Sequence, residues 1–266
     1  MKYNAFTIIY KYLRYLYKGS NGKGHGVHSP FVYDFIREVL NKNVNGEWLN
    51  EIEKYRSKLL SNTTEITFTD LGAGSIEGIH KTKQIAQIAK TALKPKKYSK
   101  LLYRIVAYYK PCSVLEMGTS LGITTCYLAK GAPTVTVTTM EGASAVANEA
   151  LKVFNHLGFQ NIEMVEGNFD NNLVAYLNAN SSLGLVYIDG NHRYSPTIKY
   201  FNLLLEKSNT DTIFIFDDIH WSSEMEKAWT EIKLDNRVSL TIDLFQLGIV
   251  FLRKENKEKE NFIIRF

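Results

Sequence analysis

The chain has 266 residues, 45% of them hydrophobic and 22% charged, and a net charge of +5. That composition excludes a fibrous or disordered chain and fits one large globular domain, or an ordinary one with a cap. Two cysteines, Cys112 and Cys126, exclude a disulfide scaffold and a four-cysteine zinc site. They fit a reducing, cytoplasmic location as packing residues.

No apolar run reaches the roughly 18 residues of a spanning helix. Lys11 and Arg14 interrupt the first apolar stretch, which argues against a signal peptide. The excess charge is local. Residues 1–30 carry Lys2, Lys11, Arg14, Lys18 and Lys23 and no acid, so the remainder is neutral. A nucleic-acid enzyme spreads its basic residues over a broad face, so nucleic acid is not the expected partner.

Residues 3–17 predict an aromatic-rich helix with interspersed basic residues. It could pack on the body or on a second subunit of a homodimer, cover a substrate, or touch a membrane surface. A glycine-rich loop with His25 and His28 follows. Ser29-Pro30 predicts a helix start, with Ser29 as N-cap, running to about Leu40. A further helix is expected over 47–60. Residues 65–70 predict a strand, leading through Leu71-Gly72-Ala73-Gly74-Ser75 into a helix that carries Ile85, Ile88 and Ala89 on one side. From Tyr98 another helix runs to Pro111.

Beyond Pro111, apolar runs alternate with helical segments. The runs are 113–117, 134–140, 162–167, 183–189 and 212–218. The helices fit 122–130, 144–157, 170–178, 195–207 and 223–233. Such alternation predicts a parallel sheet with helices on both faces. Residues 237–244 and 245–253 then read as two strands with a tight connection, which must be antiparallel. The tail 254–266 opens with mixed charges expected in solvent, and its apolar Asn261–Phe266 end is expected to dock somewhere.

Ligands of open parallel sheets bind at the carboxyl ends of the strands. The first of these strands delivers Glu116, Gly118, Thr119, Ser120 and Gly122, a loop whose glycines permit a tight turn and close backbone approach. The second delivers Glu141 and Gly142, and that carboxylate can accept from both hydroxyls of a ribose. The third delivers Asn168 and Phe169, an amide and a ring that suit an adenine. The fourth delivers Asp189, Asn191 and His192, and the fifth Asp217 and Asp218. The first loop lacks G-x-G-x-x-G and begins with an acid, which would repel a pyrophosphate. It suits an adenosine cofactor with an ammonium or sulfonium, such as S-adenosylmethionine.

The segments VLEMGTSLGITTCYLA, TMEG, VEGNFD, YIDGNHRY and IFDDIHWSSEMEKAW resemble the successive motifs of class I S-adenosylmethionine-dependent methyltransferases, O-methyltransferase branch. The resemblance covers about 98–253. It implies an α/β, Rossmann-like seven-stranded sheet in the order 3-2-1-4-5-7-6 with the last strand antiparallel. A mainly helical amino-terminal extension or lid (1–97) would precede it, and a tail (254–266) would follow. It implies that the Gly118 loop lies against the methionine moiety, Glu141 holds the ribose and Asn168 lies near the adenine. It also implies a divalent metal, Mg²⁺ or Mn²⁺, on Asp189, Asp217 and Asp218, with His192 as base toward a small-molecule hydroxyl. Asn191 stands where sugar-type members carry an acid, which counts against that mechanism.

Two rival readings remain. Asp70–Ser75 looks like a cofactor loop of an NADP-type oxidoreductase built on Gly72 and Gly74. Glu77 replaces its third glycine, and no ribose-binding acid follows before Glu116. The other rival is a non-catalytic module of the same fold.

Overall fold

The structure is a computed structural model that describes residues 2–69, 80–256 and 258–266. In chain order the elements are α1 (Ala5–Lys18), α2 (Pro30–Asp34) continued by a π-helical turn (Phe35–Leu40), α3 (Glu47–Leu60), β1 (Glu65–Thr69), β2 (His80–Gln84), α4 (Ile85–Ala92), α5 (Lys96–Tyr109), β3 (Val114–Met117), α6 (Ile123–Gly131), β4 (Val137–Glu141), α7 (Ser144–His156), β5 (Ile162–Glu166), α8 (Phe169–Ala179), β6 (Leu185–Ile188), α9 (Tyr194–Leu205), β7 (Ile213–Asp217), α10 (Ser223–Leu234), β8 (Leu240–Asp243), β9 (Leu247–Phe251) and β10 (Glu260–Ile263).

The fold is α/β with a mainly parallel, eight-stranded central sheet in the order β10-β8-β9-β7-β6-β3-β4-β5. The expected seven-strand order is present, with β9 antiparallel to both β7 and β8. One strand is added. The tail folds back as β10 and pairs in parallel with β8, with Phe262 beside Ile242. Its apolar residues found their docking place at a sheet edge, which covers backbone groups that β8 would otherwise expose.

The chain divides into two compact units, residues 43–179 and residues 1–42 with 180–266. Residues 1–97, read from sequence as one extension, are thus shared between the units.

In the unit 43–179, β3, β4 and β5 pair in parallel. Its core joins Leu49 and Ile52 of α3, Ile85 and Ile88 of α4, Tyr127 of α6, and Val153 and Phe154 of α7. A buried polar tie crosses it. The Tyr127 hydroxyl donates to Glu53 Oε1 at 2.6 Å, and Arg56 donates to Glu53 and to the Lys94 carbonyl. The Asp70–Ser75 loop lies outside the described residues. The strands on either side of it, β1 and β2, form an antiparallel pair. The expected passage from strand through glycine loop into helix is therefore interrupted by a return strand. A dinucleotide-binding loop instead runs from a parallel strand directly into a helix.

In the unit formed by 1–42 and 180–266, β6 and β7 pair in parallel, and the β8–β9 hairpin follows. Phe201, Phe214, Phe216 and Trp229 pack edge to face or tilted in its core. Helix α1 is fastened at both ends. Tyr3 donates its N–H to the Trp221 carbonyl, and Tyr15 donates its hydroxyl to the Ile264 carbonyl. Ser29 precedes α2 as expected, but its hydroxyl does not cap the helix. It points to Glu260 at 3.3 Å, and only its carbonyl accepts from the helix, from the Tyr33 N–H.

Candidate functional site

The unit 43–179 carries a loop set by backbone conformation. After β3 the chain passes through Gly118 (φ 112°), Ser120 (φ 49°) and Gly122 (φ 76°), three left-handed residues in five. Glycine relieves the strain at two of them. At Gly122 space is limiting as well. A Cβ there would meet Phe154 Cε1 at 2.5 Å and Ala150 Cβ at 3.0 Å. The missing side chain lets the start of α6 lie directly on α7.

Glu141 fixes this loop from the end of β4. Its Oε2 accepts from the Ser120 N–H at 2.9 Å and its Oε1 from the Ala143 N–H at 2.9 Å. The Gly118 and Thr119 N–H groups donate to the Met140 carbonyl. The Gly167 N–H donates to the Glu141 carbonyl, which ties in the third strand end. One partly exposed carboxylate thus stands where three strand ends gather, and each of its oxygens accepts from a backbone N–H.

Glu116 and Thr119 turn inward. Glu116 is fully buried, and its Oε2 accepts from the hydroxyls of Thr125 and Thr139. Thr119 Oγ1 lies 2.6 Å from Thr139 Oγ1. Glu116 therefore joins β3, β4 and α6. Burial pushes the neighbouring Cys126 thiol well up, and the Glu116 charge adds to that. Cys126 packs as expected, whereas Cys112 is exposed. Asn168 is an exposed turn residue at the start of α8, its Oδ1 accepting from the Asp170 N–H at 2.8 Å. Phe169 beside it is half-buried, as is Gly142.

The other unit carries a side-chain cluster. In the parallel β6–β7 pair, Ile188 lies beside Phe216, so the next residues, Asp189 and Asp217, leave the sheet side by side. His192 reaches back to them. Among the described residues, Asp189, His192 and Asp217 are the group whose ligand atoms all lie within 4.8 Å of one another. His192 Nε2 stands 3.5 Å from Asp189 Oδ1, and the Tyr187 hydroxyl donates to Asp189 Oδ2 at 2.8 Å. Asp218 is not part of this group. It adopts φ 53°, and its carbonyl accepts from the Trp221 N–H, as one corner of a turn. Asn191 is also left-handed at φ 52°. Such conformations in the loops after two adjacent strands are a common mark of a functional site. Trp221 is 38% exposed, with the Lys2 ammonium 3.8 Å from its ring. His25 and His28 are exposed.

Sequence reading missed Tyr187, Thr125 and Thr139. Two signals were present. Residues i and i+2 of a strand share a face, which pairs Tyr187 with Asp189. Thr139 is the direct neighbour of Glu116 across β3 and β4.

Residues 115–219 match a family described as a methyltransferase domain. The match spans less than half of the chain. It contains every strand-end residue considered above, from Glu116 to Asp218. No curated protein matches the chain. Among solved structures, the chain is similar to the SAH-bound methyltransferase PaMTH1 of Podospora anserina. The TM-score is 0.60 at 12% identity, over 85% of this chain and 97% of that one. It is similar to the O-methyltransferase from Bacillus cereus in complex with SAH, with TM-score 0.57 and 18% identity over 84% and 97%. It is also similar to the O-methyltransferase TomG from Streptomyces achromogenes, involved in tomaymycin synthesis and in complex with SAM. There the TM-score is 0.52 at 17% identity, over 61% and 82%. At such identities the likeness shows a shared fold. Among the described residues, no helix is long and apolar enough to cross a membrane.

Proposed function

We propose that the chain is a methyltransferase that transfers the methyl group of S-adenosylmethionine to an oxygen of a small-molecule acceptor. The observation that carries this reading is Glu141, a carboxylate held by the Ser120 and Ala143 N–H groups at the end of β4. It offers a ribose diol an acceptor prepositioned against the glycine loop. Glu116 at the start of the first loop and the lack of G-x-G-x-x-G in it favour a sulfonium over a pyrophosphate. The solved structures of the same fold that hold SAH or SAM support the same cofactor. In this reading Asn168 and Phe169 face the adenine, and Gly118 and Gly142 allow close approach. Two cysteines without a disulfide between them suit the cytoplasm.

The acceptor chemistry falls to Asp189, His192 and Asp217. The donor set, two carboxylates and an imidazole, fits a divalent cation. It differs from the all-oxygen set expected with Asp218, and an imidazole suits Mn²⁺ or a neighbouring first-row ion better than Mg²⁺. A cation held there would act as a Lewis acid that lowers the pKa of an acceptor hydroxyl. The 3.5 Å contact between His192 and Asp189 favours a second reading, in which His192 takes the proton and Asp189 orients the ring. In both, the acceptor oxygen attacks the methyl carbon, the carbon–sulfur bond breaks, and the sulfonium leaves as a neutral thioether.

Cofactor binding and chelation test the two parts separately. S-adenosylhomocysteine at a hundred times its Kd should raise stability by about 2.7 kcal/mol, and NADPH should raise it not at all. A shift with NADPH alone would overturn the cofactor assignment. In an assay with labelled S-adenosylmethionine, loss of turnover with chelator and recovery with Mn²⁺ supports the metal reading. Indifference to chelator leaves His192 as the base.

A further inference from the structure

Helix α1 is covered on one face and bare on the other. Tyr15 is buried, and Lys11 reaches Glu226 at 2.8 Å, which with the ties at Tyr3 and Ile264 holds the inner face. Phe6, Ile9, Tyr10, Leu13 and Tyr17 point the other way. At 100° per residue they fall within an arc of about 100°, one continuous stripe. Phe6 is 85% exposed and Tyr17 88%. An apolar stripe of this size left in water marks a contact surface. Arg14 and Lys18 are exposed on one flank, and residues 1–30 hold five basic residues and no acid.

We propose that α1 is a membrane-surface element that lays this stripe on a bilayer of anionic phospholipid. Three observations favour that occupant over a second copy of the chain. A two-fold contact through this stripe would bring the basic flanks of two copies into one interface, and residues 1–30 offer no acid to pair them. Anionic headgroups supply the missing negative charge. The stripe is also rich in tyrosine, a ring with a polar tip that sits well at a headgroup boundary. Finally, α1 is about 21 Å long, too short to cross, and its inner face is already fastened to protein. It therefore suits reversible attachment in the plane of the surface.

Sedimentation of the full chain with vesicles tests this. The chain should pellet with phosphatidylglycerol–phosphatidylcholine vesicles and far less with phosphatidylcholine alone, and added salt should weaken the binding. Removing two charges with Arg14→Gln and Lys18→Gln should lower partitioning about 30-fold. Phe6→Ser with Leu13→Ser should abolish pelleting at an unchanged melting temperature, because both side chains are exposed. The proposal is overturned if the chain stays in the supernatant, or if pelleting survives both variants. It is equally overturned if sedimentation velocity shows a dimer that the serine variant splits, which would make the stripe a subunit interface.

Discussion

The two units prepare their ligand groups in opposite ways. The unit 43–179 does so with backbone. Three left-handed residues shape the Gly118–Gly122 loop, and the Glu141 carboxylate that reaches it is held by main-chain N–H groups. The unit formed by 1–42 and 180–266 does so with side chains. Asp189, His192 and Asp217 come from two strand ends and are brought together by sheet pairing and a turn. A backbone site suits a cofactor that never changes. A site made of side chains can change its chemistry by single substitutions while the strands stay put.

That contrast is sharpest in turnover. Asp217→Asn replaces one carboxylate of the trio by an amide with little change of shape. On the metal reading the loss should be on the order of a thousandfold, since Lewis acidity contributes several kcal/mol. His192→Ala should lower turnover about 10²- to 10⁴-fold, and less at high pH, where the acceptor hydroxyl ionises unaided. Neither change should alter the Kd for S-adenosylhomocysteine by more than a few fold, measured by calorimetry. A large loss of cofactor affinity in Asp217→Asn would break the division of labour between the units.

Glu141→Ala is the converse experiment. It removes charged hydrogen bonds worth about 1.5–3 kcal/mol, so the Kd should weaken about 10- to 150-fold. Gly122→Ala forces a left-handed residue to carry a Cβ against Phe154, and should lower stability by about 2 kcal/mol. If Gly122→Ala unfolds at the wild-type temperature, the loop is not fixed by the conformation assigned to it.

The same contrast explains what the sequence disclosed. Strands and helices beyond Pro111 were legible because apolar runs alternate with amphipathic segments, and the glycine loop because glycine itself signals backbone conformation. Glu141 was legible as the acid that ends the next strand. The trio was only partly so. Asp217 and Asp218 are adjacent, and no periodicity says which one turns into the cluster. The positive φ of Asp218 decides it, and an aspartate there carries no more warning than any other. His192 was read as a base rather than as a donor equal to the aspartates, because its distance to Asp189 depends on the turn at Asn191. Strand β10 was missed because a charged segment precedes it, which read as a solvated tail.

The smallest effect concerns how α1 is fastened. His220 lies between Asp243 Oδ2 at 2.8 Å and Glu226 Oε1 at 3.0 Å, and Glu226 also accepts from Tyr3 and Lys11. Burial alone would lower the His220 pKa, but hydrogen bonds to the two carboxylates and their charges push it up to about 9. Burial would raise the Glu226 pKa, and its bonds with His220, Lys11 and Tyr3 bring it down to about 2. A histidine raised in the folded state stabilises fully below its unfolded value of 6.5, and that contribution fades as pH rises toward 9. A depressed glutamate stabilises fully above 4.5, and its contribution fades as pH falls toward 2. Both contributions are complete only between those two unfolded values. Above that window the melting temperature should fall by about 5 °C by pH 9, with the partial exposure of the cluster discounted. His220→Gln should remove most of this fall, since glutamine carries no titrating charge between the carboxylates. A variant that loses stability between pH 6.5 and 9 as steeply as the wild type would place the titrating group elsewhere. The ties at Tyr15 and Ile264 would then be what holds α1.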